Sequence, residues 1–335
     1  MREARSSKRK YLQVVAVILL IVFLLSAVLL FVNLWERFGT RSSFQGEVVG
    51  PPTLTYNGEE YILKDDEDLE VILLLGLDKF EGDVVDEAAD RNDKQSDFMM
   101  LLVIDDRNRE FTAIHINRDT MAEMNKLGIG GKVVGTVNQQ IALAHTYGKG
   151  DEVSCGNSVE AVQKLMYNIK IDHYISVTMD TVPVFNDLVG GVEVEVLDDF
   201  TGIDDTLVKG ETVTLMGEHA LNYVRTRYGL EDSSNETRMI RQRQYIRALY
   251  EKTLEKFESD ENFIIDASTK IKDSLVTDRS ITELQELFRK VSDYRFTEIR
   301  YMEGESVKGE QFIEFNPDEE ALKKLVVEMF YSLKD

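Results

Sequence analysis

Three short apolar runs lie in the first half of the chain, at residues 71–77, 98–104 and 111–116. Each run is shorter than a typical buried helix and is bounded by charged residues, so the pattern predicts three buried strands. A buried strand is a rigid support, and side chains just beyond its ends are therefore held in fixed positions.

Charged residues stand at the ends of these predicted strands. Asp78 follows the first run, Asp97 precedes the second, and Arg118 and Asp119 follow the third. Because strand ends of one sheet meet at a common edge, we expect these four side chains to converge at one mouth of the sheet. This is the candidate site.

The pattern after residue 120 alternates between helix and strand. Glycines at 128, 130, 131 and 135 predict a loop, and residues 137–144 a helical patch. The following elements are a helix at 157–168, a strand at 174–178, a helix at 181–188 and a strand at 192–196. Interleaved strands and helices predict an α/β fold, a three-layer α-β-α sandwich around a central mixed β-sheet.

The N-terminal region predicts a membrane anchor. Residues 11–32 form an uncharged apolar run, long enough for a spanning helix, after a basic segment at 1–10. The basic flank places the N-terminus in the cytoplasm and the rest outside the cell, as a single-pass membrane protein. A cleaved signal peptide is the alternative, but the run is longer than a typical signal-peptide core. Residues 33–68 are expected to be a stalk, with a short strand at 61–63.

Composition limits the ligands of the site. The formal net charge of -22 argues against a nucleic-acid partner, since binding to phosphate backbones needs a basic face. A local group of arginines can still bind a smaller anion.

Such a group follows residue 217. Arg225 and Arg227 are two positions apart, so they share a face of an extended segment. A capping box at 233–236 opens a helix to about residue 257. One face of this helix carries Arg238, Arg241, Gln242 and Tyr245. Arginines this close repel one another unless an anion lies between them, and their fork geometry suits phosphate, so a diphosphate is the expected ligand.

The order of these motifs resembles the LytR-CpsA-Psr family of membrane-anchored envelope phosphotransferases. The resemblance covers residues 69–256, expected to be the catalytic domain, and weakens over 257–335, expected to be a C-terminal α/β extension without chemistry. The segments that carry it are 72–78, 96–97, 117–119, 188–194, 217–227 and 238–242.

The resemblance implies a transferase that moves a glycopolymer, such as teichoic acid or capsule, from a polyprenyl-pyrophosphate carrier to a peptidoglycan hydroxyl through a phosphodiester. It makes Asp78 and Asp97 magnesium ligands, and Asp119 the residue that orients Arg118. The pyrophosphate contacts that it implies are Arg118, Arg225, Arg227, Arg238 and Gln242. Either Asp78 or Asp97 could instead accept the proton of the incoming hydroxyl.

Two positions depart from the family pattern. Gln95 stands where an arginine commonly precedes the Ser-Asp pair, and Asn117 replaces the usual proline before Arg118. One pyrophosphate contact is therefore expected to be missing, and Lys79 or Lys94 are the candidates to restore the charge.

Several alternatives stay open at this point. Asp78 and Asp97 could cap loops or pair with arginines rather than bind magnesium, and Arg241 and Arg243 could be functional or solvated. The whole protein could instead be a non-catalytic polymer-binding or regulatory protein of the envelope, or a polyprenyl-pyrophosphate hydrolase.

Overall fold

The structure is a computed structural model that describes residues 52–64, 68–80, 82, 89–310 and 312–334. The predicted cytoplasmic tail and membrane span lie outside these residues. Within them, no helix has both the length and the apolar character needed to cross a membrane.

The described residues form fifteen strands and seven α-helices. The strands are β1 (Thr53–Tyr56), β2 (Glu59–Leu63), β3 (Leu69–Lys79), β4 (Lys94–Asp105), β5 (Glu110–Ile116), β6 (Met121–Leu127), β7 (Val133–Gln140), β8 (His173–Thr178), β9 (Val192–Glu195), β10 (Thr212–Leu215), β11 (Leu275–Thr277), β12 (Arg295–Tyr301), β13 (Gly304–Lys308), β14 (Ile313–Pro317) and β15 (Tyr331–Leu333). The helices are α1 (Glu152–Leu165), α2 (Thr181–Leu188), α3 (Glu218–Arg225), α4 (Asn235–Ser259), α5 (Phe263–Lys270), α6 (Ile281–Ser292) and α7 (Glu319–Phe330).

The central sheet has six strands in the order β11-β8-β3-β4-β5-β12. The pairs β3–β4, β4–β5 and β11–β8 are antiparallel, whereas β3–β8 and β5–β12 are parallel. The predicted mixed sheet in an α/β fold is therefore confirmed, and the three apolar runs are its strands β3, β4 and β5.

Successive residues of β3 face opposite sides of the sheet, as the strand period of two requires. Leu73 and Leu75 lie in a buried cluster that includes residues of α1 and α7. Ile72 lies in another cluster, with Leu287 and Val291 of α6. Helices thus cover both faces, and the sheet edge between them is where the candidate site lies.

The N-terminal strands correct the predicted extent of the stalk. β1 and β2 form a hairpin whose turn has positive φ at Asn57 (52°) and Gly58 (81°), the backbone that such tight turns require. β2 pairs with β15, and Leu54 and Leu63 pack against the core. Residues 53–63 therefore belong to the folded unit. The expected strand at 61–63 is the second half of β2.

The C-terminal residues complete the central fold. β12 extends the sheet beyond β5, and α7 buries Leu325 and Val326 in the cluster with β3. The capping box at the start of α6 is present, with Ser280 and Glu283 bonded reciprocally. The extension from residue 257 is thus an integral part of this fold.

The predicted helical patch at 137–144 is wrong over residues 137–140, and residues 141–144 are helical. Its first residues form β7, which pairs antiparallel with β6, and a 3-10 helix follows at Ile141–Thr146. The β6–β7 hairpin begins directly after the candidate site residues and ends beside them at Gln140.

Candidate active site

The candidate residues come together at one edge of the central sheet. Asp78 lies near the end of β3, Asp97 near the start of β4, and Arg118 just after β5. Because β3, β4 and β5 are neighbours and alternate in direction, these three positions form a row along that edge. The expected convergence is therefore found.

A β-bulge directs Asp97 into the site. Gly76 of β3 is opposite Phe98, whereas the next residue, Leu77, is opposite Ser96, so Asp97 is the extra residue of β4. A bulge turns its extra residue out of the regular alternation. A side chain at Gly76 would meet Phe98, since its Cβ would lie 3.0 Å from the Phe98 Cβ.

Asp97 binds two arginines. One carboxylate oxygen accepts a hydrogen bond from Arg118 Nη1, and the other accepts one from Arg238 Nη1 at 3.1 Å. The side chains of Asp97, Arg118 and Arg238 are only 8%, 13% and 4% exposed. We call these three residues the buried triad. Burial lowers the pKa of Arg238, while the charge of Asp97 opposes that shift.

Asp119 contacts the buried triad through Arg118. Its Oδ1 accepts hydrogen bonds from Arg118 Nε at 3.2 Å and from Gln140 Nε2 at 2.8 Å. Its Oδ2 has no hydrogen-bond partner among the described residues, and Arg227 Nη1 is 3.9 Å away. Burial raises the pKa of Asp119, and the nearby arginines oppose the shift. The contact with Nε is the one that orienting Arg118 requires.

Asp78 and Arg225 form a second, more open ion pair, which we call the outer pair. Arg225 donates from Nε and Nη2 to the two oxygens of Asp78, at 2.5 and 2.9 Å. The side chain of Arg225 is 51% exposed. A cavity of about 240 Å³ lies beside the pair, and Lys79 and Lys94 are among its lining residues. The two lysines proposed to restore charge therefore lie near Asp78.

Arg241 and Gln242 hold the backbone that carries Arg225 and Arg227. Arg241 donates to the carbonyls of Tyr223 (2.9 Å) and Thr226 and to Asp198. Gln242 Nε2 donates to the carbonyl of Val224 at 3.1 Å. Both side chains are almost fully buried. Gln242, predicted as a pyrophosphate contact, is here bonded to the backbone, and Arg241 is structural rather than solvated.

The two departures from the family pattern are both connected to the site. Gln95 Oε1 accepts a hydrogen bond from Arg118 Nη2 at 3.3 Å. Asn117 Oδ1 accepts hydrogen bonds from Asn235 Nδ2 at 2.7 Å and from the Asp119 amide at 3.0 Å. Asn117 thereby joins the β5 end to the start of α4, which also carries Arg238.

Sequence reasoning missed the contribution of the C-terminal residues. The Phe315 amide donates to the Asp119 carbonyl at 2.8 Å, and Gln140 Nε2 also donates to the Ile313 carbonyl at 2.8 Å. These contacts join residues separated by more than 170 positions, and no local pattern signals them. The extension therefore builds one wall of the site.

The resemblance makes Asp78 and Asp97 the residues that would hold a magnesium ion together with substrate phosphates. Asp78 and Asp97 lie on paired strands at one edge, and Mg²⁺ in phosphate-transfer sites is commonly held by one or two carboxylates together with substrate phosphates. Over the described ranges, no group of three or more His, Cys, Asp or Glu could hold a metal ion by itself. In this structure both carboxylates are paired with arginines.

The fold and this cluster define a class of α/β protein in which aspartates and arginines pair at one edge of the central sheet. The profile of the LytR_cpsA_psr family matches residues 49–330, and the chain belongs to this family. The resemblance found in the motifs is confirmed, and the match extends beyond 69–256 at both ends.

Two relatives of the chain are named as teichoic acid transferases. The chain is 29% identical over 227 residues to the polyisoprenyl-teichoic acid–peptidoglycan teichoic acid transferase TagU of Enterococcus faecalis, covering 67% of this chain and 65% of that protein. It is 32% identical over 183 residues to the TagU of Bacillus cereus, covering 54% and 51%. The chain thus spans between half and two thirds of the length of these curated relatives.

Solved structures share the fold. B. subtilis TagV has a TM-score of 0.59 at 24% identity, covering 79% of this chain and 97% of that one. TagT bound to LIIa-WTA has a TM-score of 0.59 at 22% identity, covering 79% and 92%. At these identities the likeness establishes the fold alone.

Proposed function

We propose that this protein transfers a glycopolymer from a polyprenyl-pyrophosphate carrier to a hydroxyl of peptidoglycan, leaving a phosphodiester link. The observation that carries the proposal is the grouping of Arg118, Arg225, Arg227 and Arg238 with three aspartates at one sheet edge. The named activity of the TagU relatives supports the same reaction.

In the proposed step, the acceptor oxygen attacks the phosphorus that bears the glycan. The bond from that phosphorus to the bridging oxygen breaks, polyprenyl phosphate leaves, and the hydroxyl proton passes to a carboxylate. Phosphoryl transfer depends on positioning and on stabilising charge as it develops. Arg118 and Arg238 are held in place by Asp97, so they present positive charge to the diphosphate with little reorganisation.

The outer pair is the part of the site that can change partners. Arg225 is half exposed and, within the residues that the structure describes, bonded to one carboxylate, whereas Asp97 is held by two buried arginines. When Arg225 turns toward the diphosphate, Asp78 is released to bind a metal or accept the proton. Magnesium, held by Asp78 and Asp97, would supply further neutralisation of the phosphate charge.

We further propose that residues 11–32 anchor the protein in the membrane as a single-pass helix, with the N-terminus in the cytoplasm and the catalytic domain outside. The basic segment before the apolar run supports this orientation. The anchor would hold the site near a carrier that itself lies in the bilayer. Protease added to intact cells should then degrade the domain, and protection of the domain would refute the orientation.

The reaction is tested with full-length protein in lipid nanodiscs, a synthetic polyprenyl-pyrophosphate glycan, peptidoglycan and magnesium. We expect release of polyprenyl phosphate that depends on acceptor and falls at least about a hundredfold in Arg118→Ala, the scale of losing one charge-stabilising group. Arg107→Ala is the control, since Arg107 is 77% exposed and pairs only with Asp68 among the described residues. Thermal melts of each variant separate lost chemistry from lost folding.

Other outcomes identify the alternatives. Release that is independent of peptidoglycan would identify a hydrolase. Donor binding without release would identify a polymer-binding protein, and unchanged release after magnesium is removed with EDTA would contradict the metal assignment.

A further inference from the structure

A second cavity, of about 270 Å³, lies between the β6–β7 hairpin and the residues that lead into β14. We call it the hairpin groove. This volume is near the lower end for small-molecule sites, enough for part of a ligand rather than a long chain. The side chains that give it its character are Asn138, Gln139, Gln140, Glu310, Phe312 and Glu314.

The hairpin groove is connected to the candidate active site through one side chain. Gln140 lines the groove, and its Nε2 donates to Asp119 Oδ1 and to the Ile313 carbonyl, both at 2.8 Å. Asp119 in turn accepts from Arg118. A ligand in the groove is therefore separated from Arg118 by two buried side chains, the amide of Gln140 and the carboxylate of Asp119.

The two cavities lie at opposite ends of the row of site residues. The cavity beside the outer pair is lined from the ends of β3 and β8, by Leu77 and Thr178 among others. The hairpin groove is lined by residues that follow β5 in the chain. In-line displacement at phosphorus needs the attacking and leaving oxygens on opposite sides. A cavity at each end of the row offers one side for each of these oxygens.

The lining of the hairpin groove suits an uncharged sugar. The amides of Asn138 and Gln139 both donate and accept hydrogen bonds, and carboxylates accept them from hydroxyl groups. Phe312 is 50% exposed and offers a flat apolar surface to the C–H face of a sugar ring. Among the described residues that line the groove, none is a lysine or arginine, and Glu310 and Glu314 would repel a phosphate-bearing polymer.

We propose that the hairpin groove binds one sugar unit of the acceptor glycan, a neutral N-acetylhexosamine chain, so that a hydroxyl further along the chain reaches the diphosphate held by the arginines. This inference rests on the proposed transferase function, and it assigns the two sides of the site. The donor's lipid-linked phosphate would enter beside the outer pair, and the acceptor from the hairpin side.

The test is the double variant Asn138→Ala/Phe312→Ala in full-length protein. Both side chains are exposed, so the fold should be retained, and a thermal melt checks this. We expect the KM for a soluble peptidoglycan glycan fragment to rise at least about tenfold, the effect of losing one hydrogen-bonding group and one aromatic contact. The affinity for the lipid-pyrophosphate donor should be unchanged.

The matched control is Tyr301→Ala, which removes another exposed aromatic ring, 54% exposed, outside the groove lining. Its KM for the acceptor should equal that of the wild type. A fall in donor affinity in the double variant, with no change in acceptor KM, would mean that the groove binds the donor's glycan and would overturn the proposal. An unchanged acceptor KM would overturn it equally.

A direct binding measurement separates this inference from the proposed function. If the wild-type protein transfers nothing, a calorimetric titration with the glycan fragment alone still tests whether the groove binds it. Binding that is lost in the double variant and retained in Tyr301→Ala supports the glycan site. Equal binding by all three proteins, or none by the wild type, refutes it.

Discussion

The buried triad and the outer pair contain the same two kinds of side chain but differ in burial. The triad residues are at most 13% exposed, and two arginines share one carboxylate. In the outer pair, Arg225 is 51% exposed, and its one ion-pair partner in the described part of the chain is Asp78. Removing one partner of a buried ion pair is costly because it leaves an unpaired charge away from water. An exposed ion pair, in contrast, contributes little to stability.

This difference in burial indicates different roles for the buried triad and the outer pair. The triad is fixed before any ligand arrives, because α4 supplies Arg238 and Asn235, and Asn235 bonds both Arg238 and Asn117. The outer pair can open without disturbing the core. Binding of a diphosphate is therefore expected to rearrange the outer pair around an unchanged triad.

The largest effect is expected when the triad loses its carboxylate. Asp97→Ala leaves Arg118 and Arg238 buried without their shared counter-ion, so the free energy of unfolding should fall by about 3–5 kcal/mol. Asp78→Ala is the matched comparison: Asp78 is 15% exposed, but the arginine that it leaves unpaired is 51% exposed and stays hydrated, so the loss should be smaller than in Asp97→Ala. Urea unfolding of the two variants measures both. Equal losses would mean that the two ion pairs do not differ as their burial indicates.

A smaller loss of stability is expected when Arg241, which holds the backbone around Arg225 and Arg227, is replaced. Arg241→Met leaves Asp198 and two backbone carbonyls without their donor, so stability should fall by about 2–3 kcal/mol. Because Arg225 and Arg227 flank those carbonyls, donor affinity should fall as well. Arg243→Met is the control: it removes a contact with the Tyr301 ring and should leave donor affinity intact.

Lowering the pH should reduce the free energy of unfolding through the buried side chain of His115. Burial lowers the pKa of His115 well below 6.5, with Arg243 and Arg238 contributing. The unfolded chain therefore takes up a proton that the folded chain refuses, and stability falls as pH drops below about 6.5. The loss is about 1.4 kcal/mol per pH unit at most for this residue.

His115→Gln should flatten the dependence of stability on pH between about 6.5 and 5, measured by urea unfolding at each pH. His145, whose pKa is lowered to about 4 by burial, remains in this variant and keeps part of the slope. Asp119 acts in the opposite direction because burial raises its pKa. The difference between wild type and variant isolates His115, and identical slopes would contradict a buried neutral histidine.

The sequence was sufficient where local patterns decide the structure. The apolar runs predicted β3, β4 and β5, and strand ends then determined that Asp78, Asp97 and Arg118 would meet at one edge. The capping box at Ser280 predicted the start of α6 for the same reason, since its bonds join residues three apart.

The sequence was insufficient where the structure depends on pairing between residues that are far apart in the chain. The sequence predicts that residues 53–63 belong to a stalk, because their pairing with β15, about 270 positions later, leaves no local pattern. Residues 133–140 contain a glycine and amides that favour a loop or helix, and they become a strand only because β6 pairs with them. Gln242 lay on the predicted helix face, but only the structure reveals that it meets the Val224 carbonyl rather than open space.

The smallest change in stability is expected at Arg225, and it gives the sharpest test of the comparison. Arg225→Ala removes a half-exposed side chain, so the free energy of unfolding should change by less than about 1 kcal/mol. Arg289→Ala is the matched control, since Arg289 is 50% exposed and pairs with Glu261 on the surface. Both variants should unfold alike. Only Arg225→Ala should weaken binding of the lipid-pyrophosphate donor, by about tenfold or more, the effect of one lost charged hydrogen bond. If the two variants bind the donor equally well, Arg225 is a surface ion pair only, and the outer pair does not rearrange around the ligand.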